Sequence, residues 1–180
     1  MSKEDVATRS NSVSQKRLTS GAVFENQPNR GTLSIQEFCD VVRADAKPRG
    51  RIIFAGVIPD EIKNDYEGRG LTLESNEVLI DDATIIKYID HLKESKGAVI
   101  DVQRYNEVEQ VINNPTHIYE DLQQKELIYI GTRDYETGNV LKVTIHPNYK
   151  KKGKTYNLAK SIGIVQQSNM ESPTKYRKIK

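Results

Sequence analysis

The most regular alternation of apolar and polar residues in the chain lies in LIYIGTRDYETGNVLKVTIHPNYKKKGKTYNLAKSIGIV, residues 127–165. A period of two is typical of β-strands, because successive side chains of a strand point to opposite faces of the sheet. The stretch predicts an antiparallel meander with strands at Leu127–Thr132, Val140–His146 and Thr155 to about Val165. A turn that ends in Gly138-Asn139 joins the first two strands.

The middle strand has two chemically different faces. Its odd-numbered residues from Leu141 to Ile145 are apolar, whereas its even-numbered residues, Lys142, Thr144 and His146, are basic or polar. We expect the apolar face to pack on helices and the second face to point outward.

A lysine-rich turn follows the middle strand, which we expect to end at Pro147-Asn148. Lys150, Lys151, Lys152 and Lys154 surround Gly153 in this turn. In the third strand we expect the apolar residues at positions 158, 162 and 164 to share one face.

The chain before Pro115 contains helical periods and short apolar runs. Ser34 and Glu37 have the spacing of a capping box, at the start of a helix that runs to about Ala46. Residues 60–75 are polar and glycine-containing, so they predict a loop with one helical turn. The other predicted elements are strands at Arg51–Ile58 and Glu77–Ile80, and helices at Asp82 to about Lys93 and at Tyr105–Asn113.

Composition predicts one domain with polar ends. Of the 180 residues 36% are hydrophobic and 29% charged, so part of the chain has too few apolar side chains to fold by burial. We expect a flexible arm at residues 1–32, one α+β domain at 33–168 and a loose basic tail at 169–180. In this domain N-terminal helices pack on a C-terminal antiparallel sheet of three to four strands.

The same composition bears on compartment and cofactors. With Cys39 as the single cysteine, no internal disulfide can form, and no apolar run is long enough to span a membrane, so we expect a cytoplasmic protein. One cysteine and three dispersed histidines do not have the spacing of a metal site, and no phosphate-binding glycine motif occurs. We therefore expect neither a metal nor another cofactor.

The outward face of the meander is the candidate site. Cations and polar donors on one sheet face suit phosphate groups, and RNA cleavage by 2′-OH attack needs such groups, with a histidine to move protons. His91 and His146 are the candidate histidines. Each feature also has a plainer interpretation: the lysine turn as a solvated sheet edge, His91 as a half-buried helix residue, and Tyr119 and Tyr129 as core residues rather than base-stacking ones.

The order of elements in the second half of the chain resembles the phage-associated branch of the Barnase–EndoU–colicin–RelE nuclease superfamily. In that branch a histidine-bearing helix, a short helix that ends at a proline and an acidic strand precede three or four antiparallel strands. The resemblance spans about residues 77–168. The residues that carry it are Val78-Leu79-Ile80-Asp81, the helix from Thr84 to His91, the helix from Tyr105 to Ile112 before Asn114-Pro115, and His117-Ile118-Tyr119-Glu120-Asp121.

This resemblance implies metal-independent ribonuclease activity, as a toxin or a phage-borne effector. It places the family's helix histidine on His91, a basic residue of the middle strand on Lys142, and polar or basic residues of the last strands on Lys154, Thr155, Asn157, Lys160 and Ser161. Together with the residues chosen above, the candidate catalytic set is His91, Lys142, His146, Lys154 and Thr155. The candidate RNA-binding set is Lys150, Lys151, Lys152, Asn157, Lys160 and Ser161.

The working hypothesis is a domain that binds RNA across the sheet and cleaves it by transesterification. RNA is the expected partner, and phage or immunity proteins are candidate partners of the N-terminal arm, in the host cytoplasm or a virion. Two alternatives stay open at this point. One is a phage head-associated structural protein whose arm, residues 1–32, wraps a neighbouring subunit, and the other is a nucleic-acid-binding module without catalysis.

Overall fold

A computed structural model describes residues 33–89 and 105–180 of the chain. Within these ranges the chain forms four α-helices and seven strands. Their order is α1 (Ile35–Ala44), β1 (Ile52–Val57), α2 (Asp60–Gly68), β2 (Glu77–Asp81), α3 (Asp82–Ile89), α4 (Tyr105–Asn113), β3 (His117–Asp121), β4 (Glu126–Arg133), β5 (Asn139–Lys151), β6 (Lys154–Gln166), a 3-10 turn (Gln167–Met170) and β7 (Tyr176–Lys178). The predicted arm, residues 1–32, and His91 lie outside the described residues.

Local sequence signals account for several of these elements. The hydroxyl of Ser34 accepts the N–H of Glu37 at 3.1 Å, and the Glu37 carboxylate accepts the N–H of Ser34 at 3.4 Å, so the capping box of α1 is confirmed. The predicted helix at Tyr105–Asn113 and the predicted strands at Arg51–Ile58 and Glu77–Ile80 are also confirmed, within a residue or two at their ends.

The sheet is larger and more mixed than predicted. All seven strands belong to one sheet in the order β1-β2-β6-β5-β4-β3-β7, rather than three or four antiparallel strands at the C-terminus. β2 lies parallel to β6, with Val78 opposite Asn157, whereas the other neighbouring pairs are antiparallel. The α+β character is correct, but local periodicity does not specify which distant strands pair.

Two segments predicted to be irregular are regular. Residues 60–75 begin with helix α2, whose first turn carries Asp60 and Glu61, and which buries Ile62 and Tyr66 in the core. The residues assigned to a loose tail contain β7, which pairs with β3 and places Arg177 opposite Glu120. Both corrections depend on tertiary contacts that a polar local sequence does not reveal.

A four-charge network holds α2, β3 and β7 together. Arg177 donates to both Asp65, at 2.7 Å, and Glu120, at 3.1 Å. Arg69 donates to the same two carboxylates, at 2.7 Å and 2.6 Å. The hydrogen bond from Arg177 lowers the pKa of Asp65. Burial alone would raise the pKa of Glu120, but the hydrogen bonds from Arg69 and Arg177 outweigh it and lower that pKa.

The described helices pack on one face of the sheet. The buried side chains of α1, α2 and α4, together with Ile85 and Ile86 of α3, belong to a single apolar cluster with inward residues of the strands, among them Leu141, Val143 and Ile145. We call this side the helical face. The predicted alternation of the middle strand is therefore confirmed, and Lys142, Thr144 and His146 lie on the opposite side, which we call the His146 face. No helix within residues 33–89 or 105–180 has the length and apolar character needed to cross a membrane.

Candidate nucleic-acid interface

The His146 face has a charged cluster at its centre. Glu126, the first residue of β4, lies beside the middle of β5 and β6, and its side chain is only 9% exposed. One of its carboxylate oxygens, Oε1, lies 3.6 Å from His146 Nδ1 and also forms an ion pair with Lys160 Nζ. The side chains of His146 and Lys160 are 40% and 41% exposed, so both can contact a ligand on this face. We call these three residues the Glu126 cluster.

A β-bulge in β6 places Lys160 in this cluster. Thr144 pairs with Ser161, and the next residue of β5, Ile145, pairs with Ala159, so Lys160 is the extra residue of the bulge. A bulge brings two consecutive side chains opposite one residue of the partner strand. Lys160 therefore reaches Glu126 while Ser161 stays opposite Thr144.

The same bulge corrects the predicted face of the third strand. Residues 158, 162 and 164 were expected to point the same way. Ile162 belongs to the apolar cluster of the helical face, whereas Leu158 lies on the His146 face with Leu79 and Tyr156. The extra residue at Lys160 inverts the alternation between them.

A second bulge lies where the sequence predicted the end of the middle strand. β5 continues through Pro147-Asn148 to Lys151, because His146 pairs with Leu158 and Tyr149 pairs with Tyr156. Two residues of β5 thus oppose one residue of β6 at this point. Tyr149 returns to the His146 face, where its ring lies 5.5 Å from the ring of His146, at an interplanar angle of 84°.

Asn157 holds this second bulge. It is 0% exposed, its amide oxygen accepts the N–H of Asn148 at 3.1 Å, and its amide nitrogen donates to the carbonyl oxygens of Ser75, at 2.7 Å, and Glu77, at 2.9 Å. Asn148 has a positive φ of 52°. Asn157 therefore has a structural role, and its full burial with these partners argues against the predicted RNA contact.

The lysine turn, residues 150–154, forms the far end of the β5–β6 ribbon. Lys152 and Gly153 both have positive φ, 50° and 75°, and Lys151 pairs with Lys154, which is the geometry of a two-residue hairpin turn. Lys151 and Lys154 lie on the same side of the ribbon as Tyr149, since strand residues two apart share a face. Lys150 and Thr155 pair with each other and lie on the opposite side.

The structure thus divides the predicted site residues into two groups. His146, Lys160 and Ser161 lie at the centre of the His146 face, and Lys142 lies on the same face opposite Gly163. Lys151, Lys152 and Lys154 lie at the turn. His146 and Lys151 are five residues apart on β5, so the groups are about 16 Å apart at ~3.3 Å per residue. Lys150 and Thr155 belong to neither group, and Lys154 lies at the turn, so the structure does not bring the predicted catalytic residues Lys154 and Thr155 to His146.

Two residues of the site were missed by sequence reasoning. Glu126 was not considered, because only the strand pairing brings it beside His146. Tyr149 was not considered because the middle strand was predicted to end at Pro147-Asn148. Conversely, Tyr129 is fully buried on the helical face, and Tyr119 packs with Met170 in a separate apolar cluster, so neither presents a ring for stacking.

Among the described residues, two tyrosine hydroxyl groups are buried without a hydrogen-bond partner, those of Tyr129 and Tyr156. Burial raises the pKa of both phenols, that of Tyr156 to about 12. Tyr156 lies 5.6 Å from Tyr149, ring centre to ring centre, and extends the aromatic row that begins at His146. The row thus runs from His146 to Tyr149 along β5 and then across to Tyr156, the residue of β6 that pairs with Tyr149.

Comparisons with protein-family models, with curated proteins and with solved structures found no match to this chain. The function therefore has to be inferred from the site itself. In the part of the chain that the structure describes, no three His, Cys, Asp or Glu side chains come together as metal ligands would.

Proposed function

We propose that this protein binds RNA on the His146 face and cleaves it at the Glu126 cluster by transesterification. The observation on which the proposal depends is the convergence of Glu126, His146 and Lys160 on one sheet face, with further lysines along the same ribbon. The nuclease resemblance described above implies the same chemistry, although of the three residues in this cluster it assigns only Lys160.

Binding follows from the distribution of cations. Lys160 and Lys142 lie near the centre of the face, and Lys151 and Lys154 lie at the end of the ribbon. Lysines along one face of a strand pair can contact the phosphates of a nucleic acid backbone, and phosphate contacts supply most of the affinity. The net charge of the chain is only +2, so this local excess matters more than the total.

Cleavage follows from the orientation of His146. Its Nδ1 lies 3.6 Å from a carboxylate oxygen of Glu126, so we assign Nε2 as the nitrogen that contacts the ligand. Nε2 accepts the proton of a ribose 2′-OH, the 2′-oxygen attacks the adjacent phosphorus, and the bond to the 5′-oxygen breaks. The 5′-oxygen takes a proton from water, and the products are a 2′,3′-cyclic phosphate and a free 5′-hydroxyl. Lys160, which lies in the same cluster, stabilises the negative charge that develops on the phosphate oxygens, and Lys142 contacts the backbone further along the same face.

The proposal is tested with a fluorescently labelled single-stranded RNA and purified protein. Wild-type protein should cleave the RNA at a rate that EDTA does not change, because histidine and lysine side chains supply the proton transfer and the charge stabilisation. His146→Gln should lower the rate on the order of a hundredfold or more, the usual contribution of a general base. His117→Gln is the matched control. His117 lies on β3, opposite Ile130 and at the end of the strand away from Glu126, so this change should leave the rate unchanged.

Three results would contradict the proposal in different ways. Cleavage that EDTA abolishes would replace the mechanism by a metal-dependent one. Binding of RNA without cleavage would favour the non-catalytic binding module, and absence of both would favour the structural-protein alternative.

A further inference from the structure

Tyr149 lies between the two basic parts of the His146 face. On one side is His146, with ring centres 5.5 Å apart, and on the other side, two residues further along β5, is Lys151. The Tyr149 ring is half-buried, because it packs against Tyr156 at 5.6 Å and on the small apolar cluster of Ile52, Leu79 and Leu158. A ring supported in this way has few conformations left to lose when a ligand binds.

The backbone conformation of β5 places the Tyr149 side chain on the His146 face. His146 and Tyr149 are three residues apart, so in an uninterrupted strand they would point to opposite faces. The bulge at Pro147-Asn148 returns Tyr149 to the His146 face, and bulges beside functional sites commonly redirect a side chain in this way.

The bulge is held from both sides. The Asn148 amide donates to the carbonyl oxygen of Thr72 at 2.8 Å, and its amide oxygen accepts the N–H of Glu74 at 2.9 Å. Asn157 accepts the backbone N–H of Asn148 from β6. The loop before β2 and the neighbouring strand thus fix the position from which Tyr149 projects.

From this geometry we infer that Tyr149 is the stacking platform for one unpaired nucleobase, and that the substrate is single-stranded RNA. The inference rests on the proposed function and specifies its substrate. An aromatic ring among lysines is the usual arrangement for binding single strands, because the lysines contact the backbone while the base stacks on the ring. Bases within a duplex are already stacked and paired, so they cannot occupy such a platform.

The position of Tyr149 also determines which side chains contact the two phosphates that flank the stacked base. A base on Tyr149 has the Glu126 cluster on one side and Lys151 and Lys154 on the other. The phosphate on the first side faces His146 and Lys160, where cleavage is proposed. The phosphate on the second side faces the lysine turn, which holds the strand without taking part in the chemistry.

The test compares Tyr149→Leu with Tyr149→Phe, because phenylalanine keeps the aromatic face and leucine does not. Binding is measured by fluorescence anisotropy with a short single-stranded RNA and with the same strand annealed to its complement. We expect Tyr149→Leu to weaken single-strand binding about tenfold. Tyr149→Phe should bind like the wild type, and the duplex should bind more weakly than the single strand to both the wild type and Tyr149→Phe.

A spectroscopic signal separates stacking from a general loss of structure. An RNA in which 2-aminopurine replaces one base should lose fluorescence when that base stacks on Tyr149, and Tyr149→Leu should remove this quenching. Tyr135→Leu is the matched control, since Tyr135 is 97% exposed in the β4–β5 turn and should affect neither signal. Urea unfolding of each variant shows whether the fold is retained.

The outcomes distinguish this inference from the proposed function. If the wild type binds single-stranded RNA with salt-dependent affinity but Tyr149→Leu binds equally well, only the stacking platform is wrong. Equal affinity for single strand and duplex would also overturn it and leave RNA binding intact. If the wild type binds no RNA at all, both proposals fail.

Discussion

Asn157 accepts the backbone N–H of Asn148 at 3.1 Å across the β5–β6 ribbon. This hydrogen bond closes the bulge that turns Tyr149 onto the same face as His146. The side chain that holds the bulge is fully buried, whereas the side chains that the bulge presents are partly exposed. A buried amide thus determines the layout of the surface on which the proposed function depends.

The first prediction concerns this amide. Asn157→Ala removes the partner of the Asn148 N–H and of the carbonyl oxygens of Ser75 and Glu77. We expect the free energy of unfolding to fall by about 2–4 kcal/mol, since each buried group left without a partner costs ~1–3 kcal/mol. Urea denaturation measures the change. Asn169→Ala, an exposed residue of the 3-10 turn, should change stability by less than about 0.5 kcal/mol, and an equal effect of both variants would show that Asn157 does not hold the bulge.

The second prediction separates phosphate contacts from a solvated turn. Replacement of both Lys151 and Lys152 by glutamine should flatten the dependence of log Kd on log salt concentration by about one to two units, at roughly 0.7 per phosphate on single strands. The melting temperature should hardly change, because the charges of lysines at a solvated turn contribute little to folding. The control variant Lys47→Gln/Lys175→Gln removes the same amount of charge from residues outside the β5–β6 ribbon. If the slope flattens equally in the two double variants, Lys151 and Lys152 do not contact RNA phosphates directly.

The third prediction concerns the carboxylate of the Glu126 cluster. Glu126→Gln keeps the shape of the side chain and removes a negative charge from the proposed phosphate-binding face. RNA binding should therefore tighten, while cleavage slows because His146 loses the anionic partner that orients it. Separate measurements of KM and kcat show the two effects. Weaker binding together with slower cleavage would mean instead that Glu126 only supports the fold.

The fourth prediction concerns acid stability. The pKa values of Asp65 and Glu120 are lowered in the folded state, by the hydrogen bonds from Arg69 and Arg177. A carboxyl group whose pKa is lower in the folded than in the unfolded state stabilises the fold. This stabilisation is complete at pH values above the ordinary carboxyl pKa, near 4, and is lost as the pH falls below that value and through the lowered pKa. Wild-type protein should therefore lose stability in this range.

Arg177→Gln should isolate the contribution of the network. We expect it to destabilise the protein by about 1–3 kcal/mol at neutral pH and by clearly less at pH values below the lowered pKa values of the two carboxyl groups, where these groups become protonated. Melting curves across this pH range measure both values. Lys178→Gln, its exposed neighbour in β7, is the control, and a cost of Arg177→Gln that stays constant with pH would rule out the ionic origin.

The sequence by itself determined the elements whose signals are local. The Ser34–Glu37 capping box begins α1, the two-period alternation of residues 140–146 separates an apolar from a basic face, and Lys152-Gly153 makes a tight turn. In each case the physical cause lies within a few residues: a side chain that bonds the nearby backbone, a fixed strand period, or a glycine that tolerates positive φ.

Only the tertiary structure decided how those elements combine. The parallel pairing of β2 with β6, the strand β7 and the placement of Glu126 beside His146 and Lys160 depend on contacts between residues far apart in the chain. The two bulges invert the alternation at Lys160 and at Pro147-Asn148, and a bulge exists only relative to a partner strand. Local periodicity therefore predicts which side chains share a face only as far as the first bulge, and beyond it strand pairing decides.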